Sequence, residues 1–530
     1  MNSRVIEQQR QISASAQELP LSTAQERFWV LEQLHPGSPA QNLACGLRLT
    51  DLVDKEALQT ALDAAVQRHE ILRTEFRMAD GVPVQVVLPH ARITLAVVSL
   101  QHFPPPEREV QLSHRAQQET QNPFDLCSGP LLRAVLFQLA DTENVLVAFC
   151  HRIIGDGQSL RLLLSEINSL YCDQIGRESL AVARMPVQYR EIAAQDPVFS
   201  AAGLSYWKQL LEGAPSSIDL PTDRQRPAVQ TFRGEKQRIS IEAPLQERLC
   251  SLSENRSVSL FTTLLAAFSI LLSRYARQED LVLGTHISGR GRPEFDSVVG
   301  PLENMLALRM ETSGDPSFVE LLSRVRDVVE KSLSHQNVPF ETVVRELHLE
   351  RDMSRHPVFQ IAFSMRETAR VSFATDLKFV KIESPTEPYD LSVEFAQQGN
   401  ELSVWFSYNS DLFNASTITR MMEHFRILLK AAANGPEMRI SQMPVLSEAE
   451  RRQLLVEWNE TSIPNPGVEC LHQFFEEQVE RTPQAVAAQY EENSLTYREL
   501  NERANRLAHY LQKRNVGPEV LVGICAERSL

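Results

Sequence analysis

One stretch constrains the fold more than any other. Residues 145–150 (VLVAFC) form a short apolar run rich in strand formers, which stops at His151. Gly155-Asp156-Gly157 then breaks the pattern. Over 158–171 the residues Leu160, Leu163, Leu164, Ile167 and Tyr171 recur at helical spacing. A buried strand, a loop and an amphipathic helix thus follow one another directly. That unit requires mixed layers of sheet and helix, and it holds a polar loop on a rigid base, where binding and catalytic groups are commonly placed.

The rest of the chain repeats this mixture in both halves. Ser22 is a suitable N-cap for a helix carrying Ala24, Phe28 and Leu31 on one face. Helices are expected over 55–69, 260–275, 318–333 and 415–432. Strands are expected over 44–49, 82–88, 281–286, 359–363, 391–395 and 402–408. Residues 1–17 are polar and read as loose. Residues 212–227, interrupted by proline, read as an extended crossing segment. Residues 435–466 read as a linker with a short helix at 448–458, and 470–513 open a new periodic region that ends in an apolar, strand-like run at 520–530. That last unit would have only about 60 residues, marginal for a core of its own. The expected organisation is one complete α+β region of about 445 residues followed by the opening of another domain.

Composition narrows the function. With 53 Lys and Arg against 68 Asp and Glu, the net charge is −15, which argues against nucleic acid as the main partner. The seven cysteines are scattered and form no C-x-x-C pair, so neither a disulfide framework nor a zinc site is expected. No apolar run approaches the roughly 20 residues of a membrane helix, and the first residues lack a signal core. A cytoplasmic protein without membrane or nucleic-acid partners is expected. No G-x-x-x-x-G-K-[ST] loop occurs.

Several unusual segments occur in a fixed order: LSTAQERFWVLEQLHPG (21–37), RHEILRTEF (68–76), HRIIGDG (151–157), YWKQLLEGAP (206–215), VGPLENMLALR (299–309), HQNVPFETVVREL (335–347), RDMSRHPVFQIAF (351–363) and YNSDLFNASTITRMMEHF (408–425). Together they resemble the condensation domains of nonribosomal peptide synthetases. LTYRELNERANRLAHYL (495–511) resembles the opening of the adenylation domain that follows them. The resemblance implies an α+β fold of two chloramphenicol-acetyltransferase-like lobes in a V-shaped pseudo-dimer with a central tunnel. The N-terminal lobe would occupy 17–178, the C-terminal lobe 179–445, a linker 446–469 and the adenylation fragment 470–530. It also implies the activity: a donor acyl or peptidyl thioester on one carrier protein is attacked by the amine of an acceptor on another, forming an amide. The partners implied are an upstream donor carrier, a downstream acceptor carrier and the rest of the synthetase beyond residue 530. No cofactor is expected to bind tightly, because substrates arrive on phosphopantetheine arms. The adenylation domain's ATP loop and catalytic lysine, and a carrier serine, lie outside this sequence, so the chain itself should neither activate nor carry amino acids. The donor is expected on a separate polypeptide or as a free acyl carrier.

The resemblance also assigns the site. The family signature is H-H-x-x-x-D-G, whose second histidine is the functional one; here that position is Arg152. A neutral imidazole accepts a proton near pH 7, whereas a guanidinium has no acceptor atom. Where the second histidine acts as a base, its loss costs about 10²–10⁴ in rate. Where it positions the amine or stabilises the intermediate, arginine can substitute in part as a donor. The expectation is a domain slow or silent in ordinary condensation. His151 would orient the loop or act directly. Asp156 matches a structural aspartate paired with an arginine, for which Arg73 is the candidate, against the reading of Arg73 as a solvated helix-end charge. Gly157 would supply backbone freedom near the substrate or serve as a simple turn residue. Ser159 would cap the following helix or face the tunnel. Gln158 replaces a common aromatic residue. Asn304 matches a later motif on a segment bridging the lobes, where the neighbours Leu302, Glu303 and Met305 depart from the pattern. His335 and Gln336 are expected to pack rather than contact substrate.

Two other readings use the same fold. One is a silent module that binds carrier proteins or recruits a tailoring enzyme, as relatives with arginine at the second position do; those usually alter the Asp-Gly end, which is intact here. The other is a stand-alone acyltransferase acting on soluble thioesters, against which the adenylation-like tail argues.

Overall fold

The computed structural model describes residues 18–177, 185, 187–194, 200–349, 352–366, 377–398, 401–462, 470–527 and 529–530. The expected loose head (1–17), the expected lobe junction at 178/179 and the later part of the linker (463–469) lie outside the described residues. The chain divides into two compact units, Met1–Ser447 and Glu448–Leu530.

Within the larger unit, three strands near the start, β1 (Glu18–Pro20), β3 (Thr74–Ala79) and β4 (Val82–Val87), form a small antiparallel sheet in the order β1-β4-β3. A five-stranded sheet combines β2 (Asn42–Leu49), β5 (Leu95–Ser99), β6 (Leu132–Ala140), β7 (Glu143–His151) and β12 (Lys378–Lys381) in the order β12-β2-β7-β6-β5. The apolar run 145–150 lies in β7 at the middle of this sheet, and every residue of β7 after Glu143 is buried. Burial on both faces explains why this strand shows no alternation. A six-stranded sheet combines β8 (Gly234–Ile241), β9 (Asp280–Ile287), β10 (Asn304–Glu311), β11 (Ile361–Arg366), β13 (Leu391–Gln398) and β14 (Glu401–Asn409) in the order β10-β9-β11-β13-β14-β8. Its edge strand β8 is mostly half-buried or exposed. Both large sheets are open, so the mixed α/β class read from the sequence holds.

Each large sheet has its own apolar core. The helices Lys55–Arg68 and Gly157–Gln174 pack together beside β2, while Leu260–Ala276, Phe318–Ser334 and Ala415–Asn434 pack against the six-stranded sheet. Local signals start the helices: Ser22 and Ser317 make reciprocal capping boxes, and Asp156 caps Gly157–Gln174 through its side chain. The two cores are tied by chain that crosses. Val298, Val299 and Ile382, late in the sequence, are buried in the first core, as are Tyr189 and Ala193. β12 pairs antiparallel with β2, Val380 lying opposite Gly46. The β12 crossing was not legible in the sequence, because a four-residue edge strand carries almost no periodic signal.

The smaller unit holds the helices Glu448–Leu455, Leu471–Arg481 and Tyr497–Gln512 and a two-stranded ladder, β15 (Val486–Tyr490) with β16 (Asn493–Thr496). The strand expected over 520–530 is not formed: residues 520–527 belong to no element, and Leu521 and Ile524 are fully or almost fully exposed. A strand needs a ladder partner, and these residues have none among those described.

Candidate active site

A cavity of about 1400 Å³ lies between the two cores. It exceeds the roughly 300–1,000 Å³ of ordinary small-molecule pockets. Asn42, Leu43 and Arg152 from the first sheet and its loops line it, and so do Val282, His286, Met305 and Tyr389 from the second. The loop 151–157 leaves the buried end of β7 and reaches this cavity with Arg152, Gly155 and Asp156.

The two ends of that loop have different surroundings. At its far end Asp156 is buried and receives a two-pronged bond from Arg290: Nη1 donates to Oδ2 at 2.8 Å and Nη2 to Oδ1 at 3.1 Å. The Leu302 N–H also donates to Oδ2 at 3.1 Å, and the Ser159 N–H to Oδ1 at 2.8 Å. Arg73, expected as the partner of Asp156, is elsewhere; its guanidinium bonds the Leu88 carbonyl and faces Glu70 at 3.7 Å. The true partner lies in the glycine- and arginine-rich turn 288–293 (SGRGRP), and nothing in a linear pattern brings a residue 134 positions away to this aspartate.

Ser159 neither caps the helix nor faces the cavity. Asp156 takes the cap, and the Ser159 hydroxyl, 1 % exposed, lies 2.8 Å from Asp156 Oδ1, 2.9 Å from the Gly300 carbonyl and 3.1 Å from the Gly300 N–H. It fastens the helix to the crossing segment 298–302. Gly300 itself is obligatory here, because a Cβ would lie 2.0 Å from the Tyr189 ring. Gly157 is the first residue of the helix; it has no positive φ, and a Cβ there would meet nothing within 4 Å. Backbone freedom is therefore not what this position requires.

His151 is 1 % exposed and does not line the cavity. Its Nδ1 accepts the Ile153 N–H at 3.1 Å, which shapes the loop. Burial, and secondarily Arg152, pushes its pKa down to about 3, so the ring is neutral. The geometry fits the orienting role and not the direct one. Asn304 starts β10 and grips the segment before the helix Phe340–Glu346: Nδ2 donates to the Gln336 and Val338 carbonyls, both at 2.9 Å, and Oδ1 accepts the Phe340 N–H at 3.0 Å. His335 stacks on Tyr206 at 4.2 Å between ring centres.

At the near end of the loop, Arg152 faces the cavity. Its Nη1 lies 3.4 Å from Glu303 Oε2, and the other carboxylate oxygen, Oε1, lies 3.3 Å from His286 Nδ1. Burial would raise the Glu303 pKa, but His286, Arg152 and Arg27 together hold it down at about 2. Three further titratable groups line the same space. Glu387 is pushed up to about 7 by burial, against hydrogen bonds from the Ser392 hydroxyl (2.6 Å) and the Tyr389 N–H (3.1 Å). His356 is pushed down to about 3 by burial and Arg27, and Tyr389 is pushed up to about 12 by burial. Sequence reasoning noted Glu303 only as a departure and missed His286, Glu387, His356 and Tyr389. Each stands on a strand or strand approach whose pattern announces packing, not chemistry. Among the described residues no group of three or more potential metal ligands is present, and no single helix is long and apolar enough to cross a membrane.

Comparison with known proteins places this arrangement. The family model of the condensation domain matches residues 15–455, and that of the AMP-binding enzyme matches 475–530. The chain belongs to the condensation-domain family. The start of an AMP-binding, or adenylation, domain follows it. One of the linear gramicidin synthase proteins of Brevibacillus parabrevis is 40 % identical over 522 residues, 97 % of this chain but 10 % of that protein. The chain therefore spans only about a tenth of that relative's length. Among solved structures, the X-domain in complex with OxyB from teicoplanin biosynthesis is similar with a TM-score of 0.71 and 26 % identity, covering 82 % of this chain and 97 % of that one. A four-domain nonribosomal peptide synthetase bound to AMP and glycine shares the fold, with a TM-score of 0.81 and 21 % identity over 94 % of this chain and 39 % of that one.

Proposed function

We propose that this condensation domain joins a donor acyl or peptidyl thioester, presented by one carrier protein, to the amine of an acceptor presented by another, with Arg152 serving as a fixed cation in place of the second histidine. The observation that carries this reading is the cavity of about 1400 Å³ between the two cores, with Arg152 on its wall and the Asp156 to Arg290 bond holding the loop there. The space suits two long arms meeting end to end. Holding amine and thioester carbonyl in attack geometry supplies much of the acceleration. A guanidinium on the wall can donate to the developing oxyanion. It cannot take the amine proton, so turnover is slower than in a domain with histidine at 152. The domain works as part of a longer synthetase, with the adenylation domain that begins after the linker following it.

A second reading is favoured by Arg152 itself and by the likeness to the X-domain solved with OxyB: a silent domain that recruits a tailoring enzyme to the carrier-bound peptide. The intact Asp156-Gly157 end opposes it. The deciding experiment is single-turnover condensation, with donor- and acceptor-loaded carrier proteins mixed with the chain or its Arg152→His variant and the products read by mass. Slow product from the native chain, and faster product from the variant, supports condensation. No product from either, with both folded, together with binding of an oxidative enzyme, supports recruitment. Activity on coenzyme A esters without carriers would support the soluble acyltransferase.

A further inference from the structure

Replacing the second histidine by arginine leaves the acceptor amine without its expected proton acceptor, and the cavity wall contains another. His286 lies on β9, opposite Met305 of β10, and lines the same cavity as Arg152. Its Nδ1 is 3.3 Å from Glu303 Oε1, while Glu303 Oε2 is 3.4 Å from Arg152 Nη1. One carboxylate therefore spans the guanidinium and the imidazole. Glu303 Oε1 faces Nδ1 at ion-pair distance, short of hydrogen-bond geometry, and its charge stabilises the imidazolium that forms when Nε2 takes a proton. The ring remains 25 % exposed, so it is accessible from the cavity.

The other charged and titratable groups around it are poorer candidates. Arg27, which pairs with Glu341 at 3.2 Å, and Arg152 are cations without an acceptor atom. Glu303 is held ionised between its two partners and is a weak base. His356 is weakly basic, with Nδ1 turned to the Pro357 and Phe359 carbonyls at 2.9 and 3.2 Å. Tyr389, 6.2 Å from His286 between ring centres, keeps its proton. Glu387 titrates near neutrality, but it is 5 % exposed and its carboxylate already accepts two internal hydrogen bonds.

We infer that His286, with the Glu303 carboxylate beside it, is a catalytic residue of this domain and accepts the proton of the acceptor amine. This inference rests on the condensation reading above. As the amine nitrogen attacks the thioester carbonyl, the C–N bond forms and the nitrogen loses its proton to His286 Nε2. The C–S bond then breaks with its electron pair going to sulfur, and the imidazolium returns the proton to that thiolate. The products are the amide on the acceptor carrier and the free thiol on the donor carrier.

The test uses the full chain and single-turnover kinetics, with N-acetylglycyl donor carrier and a panel of aminoacyl acceptor carriers, from about one pH unit below to about two units above the ordinary histidine value of about 6.5. The native rate should rise with pH along a histidine limb. His286→Gln should slow it about 100-fold or more and abolish the limb. Glu303→Gln should slow it less, because the imidazolium that forms in the step loses its neighbouring anion. Adding Arg152→His to His286→Gln should restore turnover. The inference is overturned if His286→Gln keeps the rate or the limb, if Glu387→Gln removes the limb instead, or if only chains carrying Arg152→His make product. In that last case the condensation reading stands without it. Product from no chain on the panel removes both.

Discussion

Two ion pairs leave the same short loop, and they are built for different ends. Asp156 and Arg290 are both almost fully buried, meet through two bonds, and share their remaining polar atoms with Ser159, Leu302 and the loop carbonyls. Arg152 and Glu303 are each about one-third exposed and face each other through one contact at 3.4 Å. The first is almost closed to solvent and, apart from Arg290 Nε, hydrogen-bonded throughout. The second is loose, wet and shared with His286. A loop anchored hard at one end can offer a charged group at the other without losing its place. The contrast separates the residues that hold the site from those that could perform chemistry in it.

The strongest way to break this comparison is Arg290→Ala. It strands the Asp156 carboxylate in a buried setting and should cost about 3–5 kcal/mol, read as a fall in the urea midpoint at constant slope. A cost below about 1 kcal/mol would put the buried pair in the same class as the exposed one. Glu387 sharpens the contrast, being buried like Asp156 yet without a cation at ion-pair distance among the described residues. Its folded pKa, about 7, lies above the unfolded value of about 4.3, so the folded chain holds the extra proton between those values. Stability from this group is complete below that window and falls as pH rises through it, by up to about 3 kcal/mol. Glu387→Gln should flatten that slope in urea titrations at stepped pH. Ser159→Ala removes a buried hydroxyl that joins helix and crossing segment and should cost about 1–3 kcal/mol. Glu303→Gln, at the half-exposed end, should cost less stability than Arg290→Ala, its main effect showing in the rate. A larger stability loss there would mean that the Arg152 end is also an anchor.

What was legible in the sequence follows from the range of each physical signal. Local ones were readable: the serine cap at Ser22, the apolar stripe after Asp156, the buried run of β7. The loop itself was found, and so was the importance of position 152. Contacts made by distant chain were not. The segment RHEILRTEF (68–76) points to Arg73 as the partner of Asp156, whereas the bond goes to Arg290. Ser159 looked like a cap because it follows a turn, but an aspartate three residues earlier outcompetes it. His286 gave no sign and Glu303 only a departure from the motif, since a strand residue and one just before the neighbouring strand share no sequence spacing until the register is known.

The crossing segments have a mechanical consequence. The first sheet is attached to later chain at two separate places, through β12 on its edge and through 298–302 against Ser159 and Tyr189. Parting the two halves therefore means breaking a ladder at one place and buried hydrogen bonds at another, besides the ion pair of Arg27 with Glu341.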